Sequence, residues 1–456
     1  MPLSSKIRHT RSIRGLSIIA FALALTIVAP AAWAQQVSLK AALYPYVPRP
    51  AQFEAAISAA WAKVQPNVKL SFISSNDWDG GYEKNPPDDA DVFVFDVMYF
   101  EQFRAAGYLN AMTASEVQNN ADFLPYARDA VMAGGSYYAI PQLGCANILF
   151  YNVNDTAVAS ATTIAQLQSA LNQCTYTSKI PPDRRGLMMD MDGKTTNASL
   201  YLDIAHSANG AYPLPQPTQP DATYINFQKI MLNVSSYLNI TVQDDNGYIR
   251  GDWYKQGYGR TIMGFTETMS HMSQAALSTI DFKVMPLSNT TSNRPLFYVD
   301  AVGVNTKTKQ RALAVQLANL IASTDVVVAS FQAPQPTDNP QYLMSVRDSV
   351  FQQLEQRYPI YKKMYKLAQS SNPIAFKLDQ NARTWASTMG DTIRKQVRAK
   401  YVCGCDQTSS TPIYSNTQAQ SVCPGVCSSN GGWNGQWTNQ PPAPGSVCGC
   451  NTCPIQ

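Results

Sequence analysis

DVFVFDVM, residues Asp91–Met98, is a nearly continuous apolar run interrupted by two carboxylates. Val and Phe in succession, without polar alternation, suit a strand covered on both faces, as at the centre of a parallel sheet. Asp91 stands at its start. Asp96 stands near its carboxy-terminal end, where open α/β sheets place their ligands. Upstream, residues 37–44 read as a strand, and Phe53, Ile57, Trp61 and Val64 recur at helical spacing. Val68, Leu70 and Phe72 then alternate as a second strand, which completes a βαβ unit and implies a parallel sheet. Downstream, a helix is predicted over Tyr99–Ala106, and YYAIPQLGCANILFY at Tyr137–Tyr151 reads as two strands joined at Pro141-Gln142-Leu143-Gly144.

Further helices are predicted around Ile164, Leu167 and Leu171, over Leu200–Ala208, over Ile225–Leu238 and over Gln310–Ile321. Strands are predicted at Thr261–Phe265, followed directly by Thr266-Glu267, and within Pro295–Asn305. The fold class is α/β. A body of this length exceeds what one core usually organises, so two lobes are expected.

The first 34 residues read as a secretory signal. Lys6, Arg8, Arg11 and Arg14 precede an apolar run from Leu16 to Ala32, which ends in the small-residue site Ala32-Trp33-Ala34. Its removal takes Lys plus Arg from 35 to 31, equal to the 31 Asp plus Glu, so the net charge of +4 belongs to that segment. No basic cluster remains to track phosphates, and nucleic acid is excluded as a partner. No second long apolar run follows, so a secreted protein (extracellular or periplasmic) with no membrane association after cleavage is expected, and a monomer.

Only His206 and His271 remain after the signal, which argues against a histidine-based zinc site and against most Cys–His or Ser–His dyads. No metal or cofactor is expected. Of nine cysteines, seven fall in the last 54 residues (Cys403, Cys405, Cys423, Cys427, Cys448, Cys450 and Cys453). From about Tyr401 the chain is rich in Asn, Gln, Ser, Gly and Pro, so this tail reads as an irregular, disulfide-held appendage. Seven is odd. Cys174 is one candidate partner, and that pairing would leave Cys145 as the free thiol.

Cys145 follows a turn-forming stretch and precedes a strand; it is either buried filler or a nucleophile. Glu267 directly follows an apolar strand and is either a carboxylate in a cleft or one favoured at a helix start, with Thr266 or Thr268 capping. Asp96 and Asp300 are each expected near the end of a buried strand, and Tyr44, Tyr46, Tyr82, Tyr248 and Tyr298 flank predicted strand ends or loops. Phenol faces with carboxylates suit a flat cation.

These residues sit in blocks that resemble the bacterial thiaminase I (thiamine pyridinylase) family. In order they are LYPYVPRP (43–50), PPDDADVFVFD (86–96), AIPQLGCANILFY (139–151), GKTTNASLYLD (193–203), GYIRGDWYKQGYGR (247–260), GFTETM (264–269) and PLFYVDAVGVNTKT (295–308). The resemblance implies a type II periplasmic-binding-protein-like fold with the ligand between two lobes. Lobe one would hold about 37–142 and 297–345, lobe two about 146–292 and 346–400, and the appendage 401–456. It places the family's nucleophile on Cys145 and its catalytic glutamate on Glu267. Substrate contacts fall on Tyr44, Tyr82, Asp96, Tyr248, Tyr298 and Asp300. Phe265 stands where the family motif has a tyrosine. The expected substrates are thiamine and a small acceptor such as a pyridine, amine or thiol. A non-enzymatic solute-binding protein for thiamine or a related cation is the alternative, and the pairing of Cys145 with Glu267 separates the two.

Overall fold

The computed structural model describes residues 37–171, 186–190, 193–233, 235–238, 248–256, 259–398, 405–439 and 445–450. The signal segment, Cys174, Cys403 and Cys453 lie outside the described residues, as does the Cys405 side chain. The strands in chain order are β1 (Ser38–Ala42), β2 (Lys69–Phe72), β3 (Val92–Asp96), the short hairpin β4 (Met132–Ala133) and β5 (Ser136–Tyr137), β6 (Ile140–Cys145) and β7 (Ile148–Asn152). They continue with β8 (Leu187–Met189), β9 (Ser235–Leu238), β10 (Thr261–Gly264), β11 (Ile280–Val284), β12 (Leu296–Val304), β13 (Met344–Ser345) and β14 (Ile374–Ala375). In the tail follow β15 (Cys405–Thr408), β16 (Trp433–Thr438) and β17 (Val447–Cys450).

The first sheet runs β13-β6-β12-β3-β1-β2, with β14 added on β12. The expected βαβ unit is present: β1 lies parallel to β2, and the connecting Pro50–Val64 helix buries Phe53, Ile57 and Trp61. Each such side chain contributes roughly 1.5–3 kcal/mol on leaving water. β3 is buried throughout, as its composition requires, yet it is parallel only to β1. On its other side lies β12, antiparallel. The predicted helix after β3 starts as a single tight turn at Val97–Tyr99 and becomes helical over Phe100–Ala105.

Pro141-Gln142-Leu143-Gly144 is not the joint between two strands. It lies inside β6, between β12 and β13, and the chain turns instead at Ala146-Asn147. Proline cannot donate to a ladder, and the register slips at this point: Asp300 faces Leu143 while the next residue, Ala301, faces Pro141. Gln142 is the extra residue of a bulge that accommodates the missing donor. Gly144 lets the strand continue, because a Cβ there would stand 2.5 Å from the Tyr126 hydroxyl and 3.2 Å from Val346 Cγ1.

The second sheet runs β11-β7-β10-β8-β9, with β7 antiparallel to both its neighbours and β8 parallel to β10 and β9. The helix expected over Ile225–Leu238 is shorter, Ala222–Asn233, and residues 235–238 form β9. Asn233, Val234, Ser235 and Ser236 are weak helix formers, so the stretch is free to join a sheet edge. The chain thus passes from the first sheet to the second at 146–147, and returns between β11 and β12. The residues after Ser345 do not go directly to the second lobe. Helices Asp348–Glu355 and Ile360–Ser370 pack beside Thr324–Phe331, where Phe351 and Tyr361 stack into the Phe331 cluster. Among the described helices after Ser345, it is the Ala382–Arg398 helix that packs on the Lys194–Asn209 helix of the second lobe.

The tail has more regular structure than its composition suggests. β15, β17 and β16 form an antiparallel sheet. A helix at Asn416–Val426, capped by the Ser415 hydroxyl, is tied to the central strand by Cys423–Cys448 and Cys427–Cys450. Ile413, Ala419 and the four half-cystines form a small buried cluster. Sulfur therefore supplies much of what apolar side chains supply elsewhere.

Candidate active site

Both histidines are held in structural contacts. The His206 ring nitrogens face the carbonyls of Ala211 (3.0 Å) and Arg294 (2.9 Å). His271 bonds the Asp252 carboxylate at 2.9 Å and stacks on Tyr248. Among the described cysteines Cys145 alone is a free thiol, and it is the last residue of β6, paired in register with Tyr298 on β12.

A cleft of about 770 Å³ opens between the ends of the two sheets. It brings together every residue singled out by sequence: Tyr44, Tyr82, Asp96, Cys145, Tyr248, Glu267, Tyr298 and Asp300. The first sheet supplies the acidic floor, because Asp96 and Asp300 face each other across β3 and β12. Tyr82 donates to Asp96 Oδ2 (2.8 Å), Met98 N–H donates to Oδ1 (2.9 Å), and the Tyr44 and Tyr82 hydroxyls bond at 3.1 Å. Tyr46, 54 % exposed, extends this aromatic chain to the mouth.

Glu267 comes from the second lobe, in the two-turn 3₁₀ segment Thr266–His271 directly after β10 and Phe265. It does not serve as a helix cap: its Oε2 is buried without a hydrogen-bond partner, and so is the Thr266 hydroxyl. Phe265 meets the Tyr298 ring edge to face at 6.2 Å, while Tyr298 stacks on Phe376 at 4.7 Å.

Burial dominates the electrostatics. It raises Glu267 to about 7 against the pull of a backbone hydrogen bond. It raises Asp96 to about 6, although Met98 N–H and the Tyr82 hydroxyl favour the carboxylate. Asp300 is pushed well above the ordinary range by burial, then by the charges of Asp96 and Glu267. The Cys145 thiol moves up too, through burial first and then Glu267, Asp300 and Asp96. Such a set favours a cation, whose charge would draw every one of these values back down.

Among residues not singled out from sequence, Asn147 and Arg250 line the cleft and Asp203 is bonded to Asn147. Asn147, two residues after the cysteine, donates to Asp203 Oδ2 (2.7 Å) and reaches the Tyr298 hydroxyl at 3.5 Å. Asp203, buried in the Lys194–Asn209 helix, is raised to about 7 by burial, which outweighs the Asn147 bond. Its position among Leu200, Tyr201, Leu202 and Ile204 on an apolar helix was the available signal. The third is Arg250, buried at the second-lobe end of the cleft.

Comparison with known proteins follows this geometry. The Thiaminase-1 domain model matches residues 146–288. Thiaminase-1 of Paenibacillus thiaminolyticus is 34 % identical over 382 residues, 81 % of this chain and 92 % of that protein. The chain belongs to the thiaminase I family. That membership decides for an enzyme over a binding protein. Clostridium botulinum thiaminase I, solved in complex with thiamin, is 35 % identical and superposes with a TM-score of 0.75, covering 79 % of this chain and 100 % of that one. The thiaminase I architecture is shared with a maltose-bound T. maritima protein, MalE3, at 11 % identity and a TM-score of 0.59 over 80 % of this chain and 96 % of that one, a likeness of fold alone. The tail is separate in kind: a model described as Mannan-binding protein matches residues 416–450.

Proposed function

We propose that this thiaminase I replaces the thiazole of thiamine with another base, with Cys145 as nucleophile and Glu267 as the group that takes and returns its proton. The thiol proton passes to the Glu267 carboxylate as Sγ adds to the pyrimidine ring. The electron pair released through the ring expels the thiazole from the methylene carbon. An acceptor base then bonds to that carbon, Sγ departs from the ring, and Glu267 returns the proton. Splitting one substitution into addition and elimination lowers each barrier. Asp96 and Asp300, with Tyr44, Tyr82, Tyr248 and Tyr298, hold the aminopyrimidine and the thiazolium by charge, hydrogen bonds and ring faces.

The observation that carries this reading is the pairing of one free thiol with one buried carboxylate whose Oε2 has no hydrogen-bond partner and whose pKa is raised to about 7. A base near neutrality is what proton transfer from a thiol needs. The test is to incubate the protein with thiamine and pyridine and to look by mass spectrometry for the pyrimidylmethyl-pyridinium product. Its absence, with thiamine returned intact, would defeat the assignment. The amino-terminal segment is read as an export signal, and a mature amino terminus at Gln35 is expected by Edman or mass analysis.

A second reading concerns residues 401–456, taken as a mannan-binding appendage on the strength of the match to 416–450. Trp433 and Trp437 on β16, the latter donating to Asn416 Oδ1 at 2.8 Å, offer ring faces on which sugars stack. Retention on immobilised mannan, lost in Trp437→Ala, supports it; passage of the full-length protein without retardation counts against it.

A further inference from the structure

Arg250 is only 4 % exposed, and its Nε and Nη1 are buried with no hydrogen-bond partner. No carboxylate among the described residues forms an ion pair with it. A buried guanidinium with no ion-pair partner among the described residues is unfavourable, and it is out of place in a cleft otherwise built for a cation. It lies in the Ile249–Lys255 helix and lines the same cleft as Thr195, Thr196 and Ser199 of the Lys194–Asn209 helix. That helix is 16 residues long, begins at Gly193 without a capping side chain, and points its amino-terminal turn at the cleft wall. Gly193 leaves room for the Thr196 hydroxyl, since a Cβ there would stand 2.7 Å from Thr196 Oγ1. Helix amino termini, hydroxyls and a bidentate guanidinium are the recurring components of phosphate sites.

We propose that Arg250 and the first turn of the Lys194–Asn209 helix form an anion subsite that takes the phosphoryl group of a thiamine phosphate monoester. This rests on the thiamine-cleaving reading above. The charges of such a substrate are divided as the cleft divides its own. The cationic rings meet Asp96, Asp300 and Glu267, and the phosphate on the hydroxyethyl arm meets Arg250. Asp190, whose carboxylate lies 3.7 Å from the Gly193 Cβ position, is one opposing charge at that end, which the guanidinium and the helix terminus offset.

The experiment compares kcat/KM for thiamine and thiamine monophosphate, with pyridine as acceptor, in the wild type, Arg250→Gln and Arg250→Lys. The expected result is that the ratio of phosphate ester to thiamine falls roughly 10- to 100-fold in Arg250→Gln, with partial recovery in Arg250→Lys. Equal losses on both substrates would overturn the subsite, as would a wild type that cleaves thiamine and leaves its phosphate untouched. A parallel arm replaces pyridine with pyridine-3-sulfonate. A selective loss there, without one on the phosphate ester, assigns the anion site to the acceptor and also overturns the proposal. Thiamine is the internal control: a wild type inert toward it defeats the thiamine-cleaving reading itself, a separate failure.

Discussion

Glu267→Gln separates the catalytic role of this carboxylate from its structural effect, because the two move in opposite directions. An ordinary thiol near ~8.5 and an ordinary glutamate near ~4.3 are mismatched by about four pH units, or roughly 6 kcal/mol. With Glu267 at about 7 the mismatch to an ordinary thiol shrinks to roughly 2 kcal/mol. Burial also lifts Cys145, so the thiazolium charge must recover the remainder by stabilising the thiolate. Glutamine keeps the shape and cannot accept the proton. Loss of general-base help is worth about 10²–10⁴ in rate, so kcat should fall by roughly 10³ while thiamine still binds.

The effect on stability follows from the same burial. The Glu267 pKa is raised from 4.5 in the unfolded chain to about 7 in the fold. The folded state therefore holds its proton more tightly, and stability falls as pH climbs through that window. Above it, ionised Glu267 destabilises the fold by on the order of 3 kcal/mol. Glutamine has no such dependence, and Oε2 has no hydrogen bond to lose. Its buried amide carries its own desolvation cost, about 1–2 kcal/mol. The variant should melt higher than the wild type at pH 8 and no higher at pH 5. Calorimetry at both pH values and the base-exchange assay complete the measurement. Retention of more than a tenth of wild-type kcat, or a lower Tm than wild type at pH 8, would refute the reasoning.

The pH profile of kcat/KM should carry an acid limb centred between about 6 and 7, above the ordinary carboxylate range, because Asp96 and Glu267 must be ionised to hold a cation and accept a proton; a flat profile from pH 5 to 8 would contradict this. Phe265→Tyr should change kcat/KM by less than about threefold, because the ring is 36 % exposed and its new hydroxyl would meet water. A tenfold gain would show that the missing hydroxyl matters. Replacing both Cys423 and Cys448 with serine opens a link of sequence separation 25 and should destabilise the tail by about 3–4 kcal/mol. Mannan retention should be lost with thiamine cleavage intact, and a parallel loss of cleavage would show that the tail supports the body.

The elements that position the site were legible where composition and period agreed. β3, the Pro50–Val64 helix and β12 are long or strongly patterned; β3 delivers Asp96 at its end, whereas Asp300, expected near a strand end, lies at the middle of β12, directly across from Asp96. Pro141 and Gly144 misled because they usually break strands; here a bulge absorbs the first and close packing against Tyr126 requires the second. The strand at 235–238 was hidden inside a helical pattern whose last residues have weak helical preference. Cys145 and Glu267 were visible only as residues with two meanings each. The tertiary structure supports the proposed roles with a thiol left outside any disulfide and a carboxylate whose Oε2 is left without a partner. Asp203 alone left a local signal, as a carboxylate in an apolar helix; Asn147 and Arg250 left none, since their significance lies in a partner distant in sequence or, for Arg250, in the absence of one among the described residues.

The scarcity of histidine is explained by the same geometry. His206 is spent between two carbonyls and His271 on Asp252, so neither reaches the thiol. Histidine is otherwise the side chain that titrates near neutrality without help. Here burial moves carboxylates into that range instead, Asp96 to about 6 and Glu267 and Asp203 to about 7. Each such carboxylate destabilises the folded state once ionised, and Asp96 and Glu267 share one cleft, where a bound charge can return that energy. In the proposed reaction a cationic substrate would do so, its charge ionising Glu267 and favouring the thiolate of Cys145 together. On that proposal the substrate's own charge acts as part of the proton-transfer apparatus, and a lone thiol would suffice without a histidine partner.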